Sequence, residues 1–308
     1  MSKRPLEEFC SRTRWEDIDP NYIAQLVELA RAEDMGGAGL CAARRPARPV
    51  DVSTDLMPAG ARAAAELNAR RELVCCGIGL VQTVLDIYGG GVRFVPQCAD
   101  GDTIAKGCTM GRLEGDVGTI LRAERVLLNF MQKLCGVATH TASYAAALAG
   151  SPTRLLDTRK TTPAFRVLEK YAVACGGGWN HRMGLFDRVM LKDNHLAAAG
   201  ATGGDALCEA VRRAIAAYPD IRVQVEVDSM EQIPPVIEAG AHIILLDNFT
   251  VPMLREAVAL IGDRARTEAS GGITIASLPE IGRTGVDFAS TGALTHGAIW
   301  IDIGLDWL

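Results

Sequence analysis

At 308 residues, with 48% hydrophobic and 22% charged side chains, the chain can bury one large α/β core or two domains and is too apolar to be disordered. Its net charge of -5 excludes the general basic excess of a nucleic-acid binder, so any anion site has to be local. The opening residues are too charged for a secretory signal, no apolar run reaches the ~18 residues that span a bilayer, and nine cysteines without a C-x-x-C pair read as reduced thiols. No membrane partner and a cytoplasmic location are expected.

From about 19 to 34, DPNYIAQLVELARAED places Ile23, Leu26, Val27 and Ala30 at helical spacing behind Asp19 and Pro20, which predicts an amphipathic helix. Residues 35 to 50 are rich in Gly, Pro and Arg without periodicity and read as an exposed loop, with Arg44, Arg45 and Arg48 in solvent. Between 61 and 116, short mixed segments alternate with Gly and Asp turns, the texture of an antiparallel sheet in an α+β domain. A long helix follows from residue 119: Ile120, Leu121, Leu127, Leu128, Met131 and Leu134 supply apolar faces, and Arg122, Arg125, Asn129, Gln132 and Lys133 form a polar stripe. Gly136 marks either a break in that helix or a close contact.

After residue 150 the texture changes. TRLLDT, RVMLKD, IRVQVEVD, HIILLDN, ARTEAS and VDFASTG are short apolar strands separated by helix-length crossovers, which predicts a parallel sheet rolled into an α/β barrel. Catalytic groups of such barrels project from the carboxyl ends of the strands. Here those ends carry Asp157, Arg159 and Lys160; Lys192, Asp193 and Asn194; Glu226 and Asp228; Asp247 and Asn248; Glu268 and Ser270; and Ser290.

Three groups among them carry chemistry. The loops EASGGI (Ser270, Gly271, Gly272) and STGALTHG (Ser290, Gly292) each follow a strand where a helix is expected to begin, so their backbone N–H groups can face an anion, although tight turns alone would explain either. Arg159, Lys160, His181, Arg182 and Lys192 converge as five basic groups, which suits a polyanionic ligand; a salt-bridge network with Asp157, Asp187 and Asp193 is the alternative. Glu226 and Asp247 end neighbouring strands, and such hard carboxylates suit Mg²⁺, sugar hydroxyls or the lysines. His140 and His242 read as structural, while His195 and His296 fall near the mouth and can simply cap their segments.

Taken together, DTRKTTPAFRVLEKYAV, GGGWNHRMGLFDRVMLKDNH, VEVDS, LLDN, EASGGI and GVDFASTGALTH resemble the quinolinate phosphoribosyltransferase family. ADGDTIAKG, ERVLLNFMQKLCGVAT and DIGLD extend the likeness over nearly the whole chain. The resemblance implies an incomplete TIM-like barrel of parallel strands (136–295) and an N-terminal α+β open-sandwich domain (1–135) completed by residues 296–308. It implies that quinolinate and 5-phosphoribosyl-1-pyrophosphate are joined with Mg²⁺, releasing pyrophosphate and CO₂ and giving nicotinate mononucleotide for NAD synthesis. By matching motif, Arg159, His181 and Arg182 would hold the quinolinate carboxylates, and Lys160 and Lys192 would face the reacting ends and the pyrophosphate. Glu226 and Asp247 would meet the ribose hydroxyls and Mg²⁺. Ser270, Gly271, Gly272 and Gly292, with Ser290 beside them, would take the 5-phosphate. Arg125 would reach into a partner subunit's site in a homodimer or a multiple of dimers.

The chain departs from the family pattern at Ala164 and Phe165, where glycine and leucine are usual, and in the extra segment LCAARRPARPV before DVSTD. The rival readings are a paralogue on the same scaffold, such as the molybdenum-transport-associated homologue, a Schiff-base aldolase built on Lys192, and a non-catalytic sugar-phosphate sensor. Retention of Arg159, His181 and Arg182 favours a dicarboxylate.

Overall fold

The computed structural model describes residues 3–58 and 60–308. They form two compact units, one of Thr13–His140 with Ile299–Leu308 and one of the residues up to Arg12 with Thr141–Ala298. Residues 3–12 thus pack with the parallel sheet, whereas the sequence division grouped them with the N-terminal domain.

In the first unit, α1 (Pro20–Gly36) starts where Asp19 accepts a hydrogen bond from the Asn21 amide, and ends at Gly37, whose φ of 64° needs no side chain. It buries Ile23 and Val27 and runs two residues into the predicted loop, of which residues 39–49 are exposed as expected. Strands β1 (Arg62–Ala69), β3 (Val92–Pro96) and β5 (Thr109–Asp116) form an antiparallel sheet, and β2 (Leu73–Val74) pairs with β4 (Thr103–Ile104). Between β2 and β3 lies a helix that the segment reading passed over, α2 (Ile78–Ile87), which buries Leu80, Val81, Val84 and Leu85. The predicted long helix is α3 (Val117–Ala147), unbroken at Gly136. A Cβ on Gly136 would lie 2.4 Å from the Ile299 carbonyl oxygen, so the glycine marks a close contact.

All six predicted parallel strands form: β6 (Arg154–Leu156), β7 (Val189–Leu191), β8 (Val223–Val227), β9 (Ile243–Asp247), β10 (Arg266–Ser270) and β11 (Phe288–Ser290). Helices α4 (Arg166–Cys175), α5 (Asp193–Ala198), α6 (Gly204–Ala217), α7 (Ile233–Glu238), α8 (Val251–Ile261), α9 (Leu278–Gly282) and α10 (Ala293–His296) alternate with them. The sheet order β6-β11-β10-β9-β8-β7 joins the first strand to the last, the circular order of an α/β barrel with one sector open. Trp179 bridges to Leu156 beside β6, and Asn180 bridges to Ser11, so the open sector falls between Asn180 and β7. Val223, Val225 and Val227 of β8 and Ile243, Ile244, Leu245 and Leu246 of β9 are buried, which is why these strands read as continuous apolar runs. In the first unit the strand Ile303–Trp307, β12, pairs with β1 and gives the antiparallel order β12-β1-β5-β3.

The segment before Thr13 straps the amino ends of the parallel strands. Phe9 packs edge-on against Phe288 with ring centroids 6.4 Å apart, beside Leu156 and Ile243. Lys3 pairs with Asp287 at 3.1 Å and Arg222 with Glu8 at 2.6 Å. The Trp179 ring lies between two guanidinium groups, Arg12 at 4.4 Å and Arg154 at 4.0 Å from its centroid. The carboxyl ends of the strands stay open on the opposite side.

Candidate active site

The carboxyl ends open into a cavity of about 750 Å³. Its wall takes Thr158, Arg159 and Lys160 from the turn after β6, His181 and Arg182 from the segment before β7, and Lys192 from the end of β7. It takes Glu226 from β8, Asp247 from β9, Ser270 from the end of β10 with Gly271 and Gly272 after it, and Ser290 from the end of β11 with Gly292 after it. Every predicted site residue of the parallel-sheet unit is therefore in one cavity. Arg125 is not: it lies exposed on α3 in the other unit, in a shallow cavity of about 290 Å³ with Asp34, Asp51 and Arg122.

The turn 155–162 explains how uncompensated cations are held there. Asp157 is fully buried and accepts from Lys170 Nζ at 2.5 Å, Asn180 Nδ2 at 2.8 Å and the His181 amide at 2.8 Å. Burial pushes the Asp157 carboxyl up and the Lys170 amine down, and the two neutralise each other. Asp157 is thus spent on the scaffold. Asp187 is likewise taken up by the amides of Met183, at 2.6 Å, and Gly184, at 3.0 Å. The proposed alternative of a network with these acids is not what forms. Arg159 Nε is buried without a hydrogen-bond partner among the described residues. Burial, then the neighbouring Arg159 and Arg188, push the Arg182 guanidinium down, and the Asp187 and Glu268 carboxylates only partly oppose them.

The opposite wall is acidic. Lys192 Nζ lies 3.3 Å from Glu226 Oε2, and burial raises the Glu226 carboxyl although Lys192 pulls it down. Asp247, next to it, accepts from Asn248 Nδ2 at 2.7 Å. Among the described residues no three His, Cys, Asp or Glu groups cluster as a complete metal shell. Two carboxylates without an imidazole or thiolate ligand grouped with them among the described residues fit a hard cation whose remaining ligands are waters and a ligand's phosphate oxygens.

The glycine loops need one correction. Gly271 and Gly272 have φ of 90° and 59°, but α9 starts only at Leu278, so their amides belong to a left-handed loop and not to a helix start. A Cβ on Gly271 would sit 2.2 Å from Asn248 Oδ1, and one on Gly292 would sit 2.8 Å from Lys160 Cδ, so each glycine admits a neighbouring polar side chain.

Sequence reasoning missed the buried partners Lys170, Asn180 and Arg188 and the cavity walls Thr158, Thr274 and Thr291. It read Glu268 only as one more strand-end group. His296 does line the cavity, while His195 caps the Lys192 amide at 3.1 Å and His242 accepts from the Val223 amide at 2.9 Å. A polar residue on an otherwise apolar helix face, as Lys170 is on α4, was the available signal.

Comparison with known proteins agrees over most of the chain. Residues 51–135 match the family model for the N-terminal domain of quinolinate phosphoribosyl transferase, and residues 137–306 match that for its C-terminal domain. A probable nicotinate-nucleotide pyrophosphorylase (carboxylating) of Bacillus subtilis is 40% identical over 79% of this chain and 82% of its own. A mitochondrial quinolinate phosphoribosyltransferase (decarboxylating) of Nicotiana glauca is 38% identical over 93% of this chain and 82% of its own. The solved nicotinate-nucleotide pyrophosphorylase of Francisella tularensis superposes with a TM-score of 0.86 at 34% identity, over 94% of this chain and 98% of that one. With both domain models matched in order and the cationic cavity at the carboxyl ends of the parallel strands, the chain belongs to the quinolinate phosphoribosyltransferase family.

Proposed function

We propose that the protein transfers the phosphoribosyl group of 5-phosphoribosyl-1-pyrophosphate to quinolinate and decarboxylates the product, giving nicotinate mononucleotide, pyrophosphate and CO₂ on the way to NAD. The observation that carries this reading is the cavity with unpaired cations on one wall and Glu226 and Asp247 on the other. A dicarboxylate and a pyrophosphate supply the negative charge that Arg159, Lys160 and Arg182 lack and a further partner for Lys192, which is paired with Glu226, with His181 beside Arg182 on the same wall as these guanidinium groups. Ser270, Gly271, Gly272, Ser290 and Gly292 offer backbone amides and hydroxyls to the 5-phosphate.

The chemistry follows from charge placement. Arg159 and Arg182 orient the pyridine ring so that its nitrogen faces the anomeric carbon, and proximity supplies much of the rate. As the bond to pyrophosphate breaks, Lys160 and Lys192 take up negative charge on the leaving group while Glu226 and Asp247 face the positive charge that grows on the ribose. The ring nitrogen, cationic once ribosylated, stabilises the carbanion left when the adjacent carboxylate departs as CO₂, and Lys160 or a water returns the proton. Glu226 and Asp247 would hold Mg²⁺, which supplies charge neutralisation on the pyrophosphate when bound. We also propose that the protein works as a homodimer or a multiple of dimers with Arg125 acting in the neighbouring subunit's site; its exposed place on α3 supports this. A cytoplasmic location is proposed on the reduced thiols.

The test is turnover of quinolinate with 5-phosphoribosyl-1-pyrophosphate and Mg²⁺, following nicotinate mononucleotide and CO₂ together, with nicotinate as a competitor. Equal amounts of both products from quinolinate are expected, and Arg159→Ala should lower kcat/KM roughly 100-fold, the loss of a paired charge contact. Product from nicotinate without CO₂ would refute the dicarboxylate reading.

A further inference from the structure

Glu268 lies on β10, fully buried, with one face on the cavity. Its Oε2 accepts from Gln224 Nε2 at 2.8 Å, while Oε1 faces His181 Nε2 at 3.4 Å, long for a formed hydrogen bond, and has no other partner among the described residues. His181 is itself held on both sides. Its Nδ1 accepts from the Arg182 amide at 2.7 Å, and its Nε2 also lies 3.2 Å from Arg188 Nη1.

These distances decide where the imidazole proton sits. The Arg182 amide and the Arg188 guanidinium can only donate. A proton on Nδ1 would oppose an N–H at 2.7 Å, which no small rotation relieves. A proton on Nε2 opposes Arg188 at the looser 3.2 Å, and Arg188 Nη1 has a second acceptor, Gln224 Oε1, also at 3.2 Å. The Nε2 proton then points to the acceptor with spare capacity, Glu268 Oε1. A doubly protonated ring would meet both conflicts at once.

We propose that Glu268 is a positioning residue: with the Arg182 amide on Nδ1, its Oε1 holds His181 as the Nε2–H tautomer, and the ring, its one N–H turned to Glu268, gives the cavity a neutral wall and no positive charge. The charged groups facing the ring agree: Arg188 and Arg182 from the segment before β7, Lys170 from α4 with its partner Asp157 after β6, and Glu268 from β10. Burial pushes the imidazole down, Arg188 and Lys170 push the same way, and the Glu268 carboxylate opposes them without prevailing. The cations available to a ligand are therefore Arg159, Lys160, Arg182 and Lys192, one fewer than the sequence suggested. A neutral ring fixed beside Arg182 leaves a ligand carboxylate to the guanidinium, and its state does not change across the range where histidines ordinarily titrate.

The link to quinolinate rests on the proposed function, whereas the state of His181 does not. In wild-type protein labelled with ¹⁵N-histidine, His181 is assigned by replacing each of the five histidines in turn. It should show a protonated Nε2 and a bare Nδ1, unchanged between about pH 5 and 8. Glu268→Gln keeps an acceptor and should keep the ring in place; Glu268→Ala leaves the Nε2 proton against Arg188 with no acceptor, so the ring should turn, its nitrogen shifts should move and KM for quinolinate should rise roughly tenfold as the wall beside Arg182 is lost, with kcat changed less. Titration of His181 in that range, a proton on Nδ1 in the wild type, or unchanged His181 shifts and KM in Glu268→Ala would overturn the assignment. Absence of turnover with the tautomer in place would overturn the functional reading and leave this one standing.

Discussion

Ala164 occupies a left-handed conformation with φ of 60°, one position before the residue that opens α4. An L side chain there costs about 1 kcal/mol relative to glycine. Ala164→Gly should therefore raise the melting temperature by roughly 2–4 °C; an unchanged or lower midpoint in a thermal scan would mean that the turn relaxes around the methyl group. The sequence showed that Ala164 breaks the family pattern, but only the backbone angle shows which way the stability moves. Glu268 gives the pH prediction. Burial alone would raise its carboxyl, yet His181, Arg188 and the Ser290 hydroxyl draw it down to about 2 from an ordinary 4.5. The folded state thus binds this proton less tightly than the unfolded chain. The ionised group stabilises the fold above about pH 4.5, and that contribution is lost as pH falls toward 2. Urea unfolding of wild type against Glu268→Gln should show a steeper acid decline in the wild type. The cavity's charged residues were legible because each stands alone at the end of an apolar strand; Lys170, Arg188 and Glu268 were not, because a buried pair is defined by partners distant in sequence.

At the scale of elements, α3 supplies a case where propensity and packing disagree. In an exposed helix Gly→Ala gains up to about 1 kcal/mol. At Gly136 the added carbon would lie 2.4 Å from the Ile299 carbonyl, a backbone atom, so Gly136→Ala should instead lose about 1–3 kcal/mol, read as a lower denaturant midpoint. A gain in stability would show that the 299–300 segment yields easily. The sequence offered both readings of this glycine and no means of choosing between them. It yielded the six parallel strands because apolar runs between helix-length crossovers have few other solutions. It missed α2, although Leu80, Val81, Val84 and Leu85 carry the helical spacing, because flanking strand-like segments drew the reading. It also missed the place of Trp179 and Asn180 beside β6, since two bridging residues leave no periodicity.

At the scale of the whole molecule, the proposed dimer makes a prediction that neither subunit alone can satisfy. Arg125→Ala and Lys160→Ala should each be nearly inactive if Arg125 works in the neighbour's site. An equal mixture, dissociated and reassembled, should recover roughly a quarter of the wild-type rate, because half of the pairs are mixed and each mixed pair has one intact site. No recovery would confine Arg125 to its own subunit or to no site at all.

The strap at the amino ends of the parallel strands bears on how the chain comes to be folded during synthesis. Lys3, Glu7 and Glu8 are made long before their partners Asp287, Arg154 and Arg222, and β1 waits for β12 at Ile303–Trp307. At roughly 5–20 residues per second, the earliest segment stands unpartnered on the ribosome for on the order of 15 s or more. Neither unit can be finished domain by domain from the amino end; the parallel-sheet unit closes only when β11 has emerged, and the other only when β12 has.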